Sequence, residues 1–411
     1  MTQVAGRDTG FDVGGVLLER PFKIRRLGHV GFNCINMEAC VEFYTTLLGF
    51  RVSDTLDLSK RSERPEEIAE FGDPRGYFMR HGNDHHSFVL FNKRVRESID
   101  KLRRFIPGVT INQISWQVGS LAEVVNGNEW LREQGMEIQR TGRDMPGSNW
   151  HTYFYDPDGH TNELFYGMEQ IGWDWRSKPH AMHERGFRER PPLPQIPELD
   201  EVAGAMAAGT DVNSGSAIRD ALPATHDVEG VLLPRPFKVV RVGPVSLFVK
   251  DVDAAAKFYT HALGMRITEE VAWNGSRCVF LRASTEHHSI ALYPVALRAE
   301  LGMRADSTSM SVGVQVGSYA QLRAARSFLA ERGATFIEIP AQLHPGIDYA
   351  AHVLDPDGHC LQLYFAMEQL GWDGRPRPVA MRPRVSPGAW PERIPEESDS
   401  YAGEIFLGPL G

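Results

Sequence analysis

The sequence predicts an α+β fold in which four βαβββ modules pair into two similar domains. Two observations lead there: a long internal duplication, and a strand-helix-strand alternation that runs twice within each copy. The phrase "DPDGHTNELFYGMEQIGWD", beginning at Asp156, returns as "DPDGHCLQLYFAMEQLGWD" at Asp355, identical at twelve of nineteen positions. "GVLLERPFKIRRLGHVGF" (Gly15 to Phe32) is answered by "GVLLPRPFKVVRVGPVSLF" (Gly230 to Phe248), "NDHHSFVLF" by "TEHHSIALY", and "QVGSLAEV" by "QVGSYAQL". A chain of 411 residues exceeds what one hydrophobic core usually supports, so the repeat marks two domains.

The elements follow in order. "HVGFNCIN" alternates as a strand does, and "NMEACVEFYTTLLG" then sets Val41, Tyr44 and Leu48 at helical spacing, with Asn36 as N-cap and Gly49 as the stop. "GYFMRHGN" and "HHSFVLF" read as strands, rich in aromatic and β-branched residues. "INQISWQV" is a further strand, "LAEVVNGNEWLREQG" a helix closed by Gly135, and "MEIQRTG", "WHTYFYD" and "HTNELFYG" three more strands. The first domain is expected over residues 16–190 and the second over 230–383. Between them, 191–229 is Pro-rich and then Ala/Gly/Ser-rich and reads as a linker, while 384–411 reads as an irregular arm. Trp173 and Trp372 stand in a phrase common to both copies and read as packing residues.

Bulk composition excludes several functions. Apolar residues at 42% and charged residues at 24% are ordinary for a soluble globular chain, and no apolar run is long enough to span a bilayer. The N-terminal stretch lacks the charged start, apolar middle and small-residue cleavage site of a secretory signal, so a cytoplasmic location is expected. Cys34, Cys40, Cys278 and Cys360 form no C-x-x-C pair and read as buried apolar fillers. A net charge of −9 without a basic block argues against nucleic acid and points to a small-molecule partner.

The duplication also serves as an internal control for chemistry. Groups needed for folding should persist in both copies, whereas reactive groups can decay in an idle one. His29 faces Pro244 in the second copy, Glu163 faces Gln362, Gln113 faces Ser311, His151 faces Ala350 and Tyr153 faces His352. The chemically able set is thus concentrated in the first copy. A His and a carboxylate on separate strands are the residue types that hold a divalent ion with open coordination positions.

The paired βαβββ units, with "LGHVGF", "DHHSF" and "YFYDPDGHTNELFYG", resemble the vicinal oxygen chelate superfamily, and most of all its type I extradiol ring-cleaving dioxygenases. The resemblance spans nearly all of both copies. It implies a ferrous ion, with Mn²⁺ or another divalent ion possible, held by His29, Gln113 and Glu163. Where the family usually reads His-His on the second ligand strand, this chain reads Asn112-Gln113. The resemblance further implies that His85 moves protons and that Tyr153 orients substrate or oxygen; His151, replaced by Ala350 in the second copy, is a further catalytic candidate. His85 and His86 both persist as His287 and His288, which suggests a structural use for one of them. A fourth ligand would fall near Phe88, which offers none. The implied reaction opens a small aromatic diol with O2; no nucleic acid or membrane partner is expected, and a homo-oligomer is. Two other readings stay open: a metal-dependent isomerase or lyase without oxygen chemistry, and a binding module for a small aromatic ligand.

Overall fold

The computed structural model describes residues 10–100, 106–143, 147, 149–182, 190–219, 222–371, 373–383, 385 and 389–394. Two eight-stranded mixed sheets dominate it. The first contains β1 (Arg26–Cys34), β2 (Arg51–Asp57), β3 (Arg75–Arg80), β4 (Phe88–Asn92), β5 (Ile111–Gln117), β6 (Ile138–Arg143), β7 (Trp150–Tyr155) and β8 (Thr161–Tyr166). Their spatial order is β2-β3-β4-β1-β5-β8-β7-β6, so two βαβββ modules meet along an antiparallel β1–β5 seam. The second sheet repeats that order with β9 (Val239–Val249), β10 (Arg266–Trp273), β11 (Ser276–Arg282), β12 (Ile290–Pro294), β13 (Ser309–Val316), β14 (Thr335–Ile337), β15 (Ala350–Leu354) and β16 (Cys360–Tyr364). The strand β2 was not singled out from sequence, because "RVSDTLD" carries polar residues on both faces.

In each sheet a pair of helices covers the outer face, while further helical segments pack against the opposite one; in the first sheet these are Pro65–Ala69 and Lys93–Ile99, whose Ile68 and Val95 join Phe78, Val89 and Phe91. In the first, α1 (Met37–Glu42) continues as a π-helical turn over Phe43–Leu47, and α2 (Leu121–Glu133) is capped by Ser120. In the second, α3 (Val252–Lys257) and α4 (Tyr319–Ala330) take the same places. Alternate residues of β1, Val30 and Phe32, join Met37, Cys40, Tyr44, Phe88 and Trp116 in the core beneath the helices. The intervening residues, His29 and Gly31, therefore belong to the opposite, inner face. Among the described residues no helix is long and apolar enough to cross a membrane.

The two DPDGH loops tie the halves together. Asp156 Oδ1 accepts the N–H groups of Asp158 and His160, while its Oδ2 accepts the Tyr259 hydroxyl at 3.0 Å from the other half. Asp355 does the same for Asp357, His359 and Tyr44. Thr110 and Thr308 exchange reciprocal backbone-to-hydroxyl hydrogen bonds of 3.0 Å across the same seam.

Several expectations need correction here. Asn36 precedes α1 but makes no capping bond; its amide donates to Asp357 Oδ1 at 2.6 Å, and Asp357 itself accepts the Ile35 and Asn36 N–H groups. A carboxylate from the other copy thus fixes the two residues that lead into the helix, which no local pattern could announce. The stretch read as a linker holds a helix, Glu198–Ala207, and a hairpin strand, His226–Val228. Trp173 is fully exposed rather than packed, and Trp372 lies outside the described residues. Of the C-terminal arm, the described Trp390 packs against Tyr319 and Tyr349; most of the rest lies outside the described residues.

Candidate metal centre

Three strands bring the candidate ligands together. On the antiparallel seam His29 stands opposite Ser115 and Gly31 opposite Gln113; β8 runs parallel to β5 on its other side, with Glu163 beside Ser115. Side chains at one register of neighbouring strands share a face, so all four point inward. His29 Nε2 lies 2.9 Å from Glu163 Oε2, and both side chains are completely buried. Gln113 Nε2 reaches to 3.4 Å from the same oxygen. A bulge between Leu27 and His29 carries Gly28, where an added Cβ would sit 2.2 Å from the Phe165 ring; that ring in turn lies against His29.

Apart from the 2.9 Å approach of Nε2 to Glu163, the ring nitrogens of His29 have no polar partner, although the imidazole is fully buried. Buried polar groups are ordinarily satisfied, and a cation shared with Glu163 would satisfy this one. The donor set suits a borderline or hard divalent ion: an imidazole nitrogen, a carboxylate and an amide oxygen, the last presented by turning the Gln113 amide over.

The surroundings support an anionic carboxylate. Burial opposes ionisation of Glu163, but His29 and the Ser115 hydrogen bond outweigh it and hold its pKa down at about 2. Ser115 donates to Oε2, and Asn149 Nδ2 donates to Oε1 at 2.8 Å. Tyr153 stands directly opposite Glu163 on β7, and His151 opposite Phe165. Burial, reinforced by Arg140, pushes His151 down to about 3, so it is a neutral imidazole. Burial and the nearby Glu163 raise Tyr153 above its ordinary value, so its hydroxyl keeps its proton; Arg140 lies 4.5 Å over its ring. A site lined this way offers neutral donors around one anionic ligand.

The histidine pair is arranged differently from the expectation. The strand begins at Phe88, so His85 and His86 precede it and strict face alternation does not govern them. Their Nδ1 atoms lie 3.1 Å apart. It is His86 whose ring meets His29, with centroids 4.4 Å apart, whereas His85 directs Nε2 toward Asp54 Oδ2 at 4.0 Å. Burial, then His29 and His85, keeps His86 well below the ordinary imidazole range. His287 and His288 repeat the 3.1 Å contact in the second copy, so the pairing itself belongs to the fold. Phe88 also proves to face the helices, stacked against Tyr44; Val89, paired with Gly31, occupies the inward position and is equally unable to coordinate.

The second copy keeps the frame and furnishes it with different side chains. Gln362 pairs with His352 as Glu163 does with Tyr153, and Ser311 lies on the same face. Ser311 Oγ, His352 Nε2 and Gln362 Nε2 are buried there without hydrogen bonds. Ser115 and Asn149 were missed in the first copy, and the choice between His85 and His86 stayed open. The signal for the first two was available: each lies two positions from a candidate on the same strand or its approach, hence on the same face.

The family model of the Glyoxalase/Bleomycin resistance protein/Dioxygenase superfamily matches residues 26–164 and 241–363. Metapyrocatechase 2 of Cupriavidus necator is 25% identical over 174 residues, 42% of this chain and 46% of that protein, so the match spans about half of the curated relative's length. Among solved structures, the Mn(II)-bound glyoxalase from Novosphingobium aromaticivorans superposes with a TM-score of 0.52 at 15% identity, covering 86% of this chain and 85% of that one. Homoprotocatechuate 2,3-dioxygenase from Arthrobacter globiformis gives 0.51 at 17% identity, covering 86% and 84%. At these identities the two structures speak to fold alone.

Proposed function

The chain belongs to the Glyoxalase/Bleomycin resistance protein/Dioxygenase superfamily, and from that premise we propose that it is an extradiol ring-cleaving dioxygenase acting with O2 on a small catechol-type diol. The observation that carries this reading is the 2.9 Å approach of His29 to Glu163, with the imidazole otherwise unbonded, in the copy that retains both residues. His29, Glu163 and Gln113 would hold the divalent ion, Fe²⁺ in this reading. When bound, it supplies Lewis acidity toward a diol and an electron path to oxygen. Metapyrocatechase 2, by its name a relative of this chemistry, supports the choice of substrate class.

The chain's own residues account for the rest. Glu163 is held anionic and in one orientation by Ser115 and Asn149, which prepares the site before any ligand arrives. Tyr153 and His151 present neutral polar groups to a bound diol, and Phe165 shields the ligand cluster from water. His86, neutral and against His29, is placed to accept a proton from a diol hydroxyl, with His85 behind it. The test is oxygen uptake on a panel of catechols by protein reloaded with Fe²⁺. Uptake with ring-opened product that is lost in Glu163→Ala supports the reading; a metal-replete protein without uptake on any catechol sinks it.

A second reading, a metal-dependent isomerase or lyase, is favoured by one feature: Gln113 stands where the family's dioxygenases usually have His. Activity with Zn²⁺, Ni²⁺ or Mn²⁺ under argon would select it.

A further inference from the structure

The two interdomain seams share a frame but are furnished differently. At one, Asp156 and Asp158 engage Tyr259 and the Lys250 N–H; the residues beside them in β9 and α3 include the apolar Val249 and Ala255. At the other, Asp355 and Asp357 engage Tyr44 and the Ile35 N–H, and the counterparts of Val249 and Ala255 are Cys34 and Cys40. Two thiols, at the end of β1 and in α1, therefore meet a loop more than 300 residues further along the chain. The ligand atoms of Cys34, Cys40 and Asp355 lie within 4.8 Å of one another, and so do those of Cys34, Asp357 and His359; all five residues are buried.

Hydrogen bonds decide which of these groups remain available. Asp357 already accepts the Ile35 and Asn36 N–H groups and the Asn36 amide. Asp355 Oδ1 takes two backbone N–H groups, and its Oδ2 accepts the Tyr44 hydroxyl at 3.1 Å and the Cys40 thiol at 4.0 Å, whose proton a cation would replace. His359 Nε2 is buried without a hydrogen bond, and the ring is held in place by Phe32, stacked at 4.3 Å with 7° between planes. His160 likewise has a buried Nε2 without a hydrogen bond, but its Nδ1 is 2.9 Å from Asp156 Oδ2, and Val249 and Ala255 bring no thiol to that seam. The thiol pair is the feature that makes one seam different.

We propose that Cys34, Cys40 and Asp355, with His359 as a fourth donor whose ligand atom lies within 4.8 Å of that of Cys34, form a structural site for a thiophilic divalent cation of the zinc type, which pins β1 and α1 of the first half to the DPDGH loop of the second. Two thiolates, an imidazole and a carboxylate make a closed four-ligand set without an open position, the arrangement of structural rather than catalytic zinc. Binding releases the two thiol protons to solvent and changes no oxidation state. The site is separate from the inner-face centre, whose donors are nitrogen and oxygen only, and it stands whatever that centre catalyses.

The sulfur ligands give the test a signature of its own. Full-length protein is stripped of metal under reducing conditions and titrated with Co²⁺. The expected result is a near-ultraviolet sulfur-to-cobalt charge-transfer band that saturates at one equivalent per chain and is erased by competing Zn²⁺. Cys34→Ser and Cys40→Ser each abolish it, while Cys278→Ser and Cys360→Ser leave it intact. X-ray absorption of the zinc-loaded wild-type chain reads the same question without a variant: sulfur scatterers at about 2.3 Å are expected. Folded wild-type protein with no charge-transfer band and no sulfur in the zinc shell overturns the proposal. So does a band that survives in both variants, or reduced protein that takes up no Zn²⁺.

Discussion

The Tyr259 hydroxyl donates to Asp156 Oδ2 at 3.0 Å, joining the second half's π-helical turn to the first half's DPDGH loop. Both groups are completely buried, so the bond is made to a carboxylate that water cannot reach. Tyr259→Phe should lower unfolding free energy by about 1.5–3 kcal/mol, the usual range for losing a hydrogen bond to a charged group. Urea denaturation with fixed slope measures it. A variant as stable as the parent would mean that the contact between halves contributes nothing.

Under the metal-centre reading, Ser115 touches Glu163 rather than any reacting group, so its removal should loosen that carboxylate without unfolding the sheet. Ser115→Ala is expected to weaken divalent-metal affinity by roughly 10–100-fold, as loss of a hydrogen bond to a ligand commonly does. Competition with a chromogenic chelator gives the constant. Unchanged affinity would show that Ser115 does not hold Glu163 in place.

Of the two neighbouring histidines, His86 is the one against His29. Under the dioxygenase reading, His86→Gln should reduce kcat by about 100-fold or more, the scale of general acid–base assistance, while metal content stays at the wild-type value. His85→Gln should cost less, because its ring stands one contact further back. The reverse ranking in steady-state kinetics would return the role to His85.

Glu169 makes stability depend on pH. Burial raises its pKa from 4.5 to about 7, with Asp54 and Glu198 adding to the effect and the Lys178 N–H opposing it. Because the folded state holds this proton more tightly than the unfolded chain, its contribution is present below about pH 4.5 and lost as pH rises to about 7. Glu169→Gln lacks a titrating group there. Its stability relative to the parent should therefore grow across that window, by on the order of 3 kcal/mol. Thermal denaturation at pH 4.5 and pH 7.5 compares the pair; a gap that does not change with pH would refute the assignment.

Restoring the carboxylate to the second copy should not restore a metal. In Gln362→Glu the new group would face Pro244, which has no ligand atom, so metal content should stay at that of the parent. The buried acid should instead cost about 1–3 kcal/mol of stability above its pKa. Elemental analysis showing a second inner-face ion would disprove the account of how that copy lost its site.

Much of this was legible in the chain before any coordinates. Period-two and period-3.6 patterns located most strands and helices, since a side chain's face follows directly from its place in a regular element. The duplication singled out His29 and Glu163, because a second copy of the same frame shows which polar groups folding can do without. Reading by alternation failed at "HHSF", where the backbone is not yet a strand and adjacent rings are free to meet.

What the sequence by itself determined is the module plan and the concentration of reactive side chains in one copy. Only the tertiary structure decided which of those side chains touch: Ser115 and Asn149 on Glu163, His86 on His29, Asp357 at the start of α1, and Cys34 and Cys40 against a loop of the other half. The physical reason is register. Local periodicity sets the face a residue occupies, but its neighbour on the next strand or across a domain seam depends on how distant segments align, and no short-range pattern encodes that alignment.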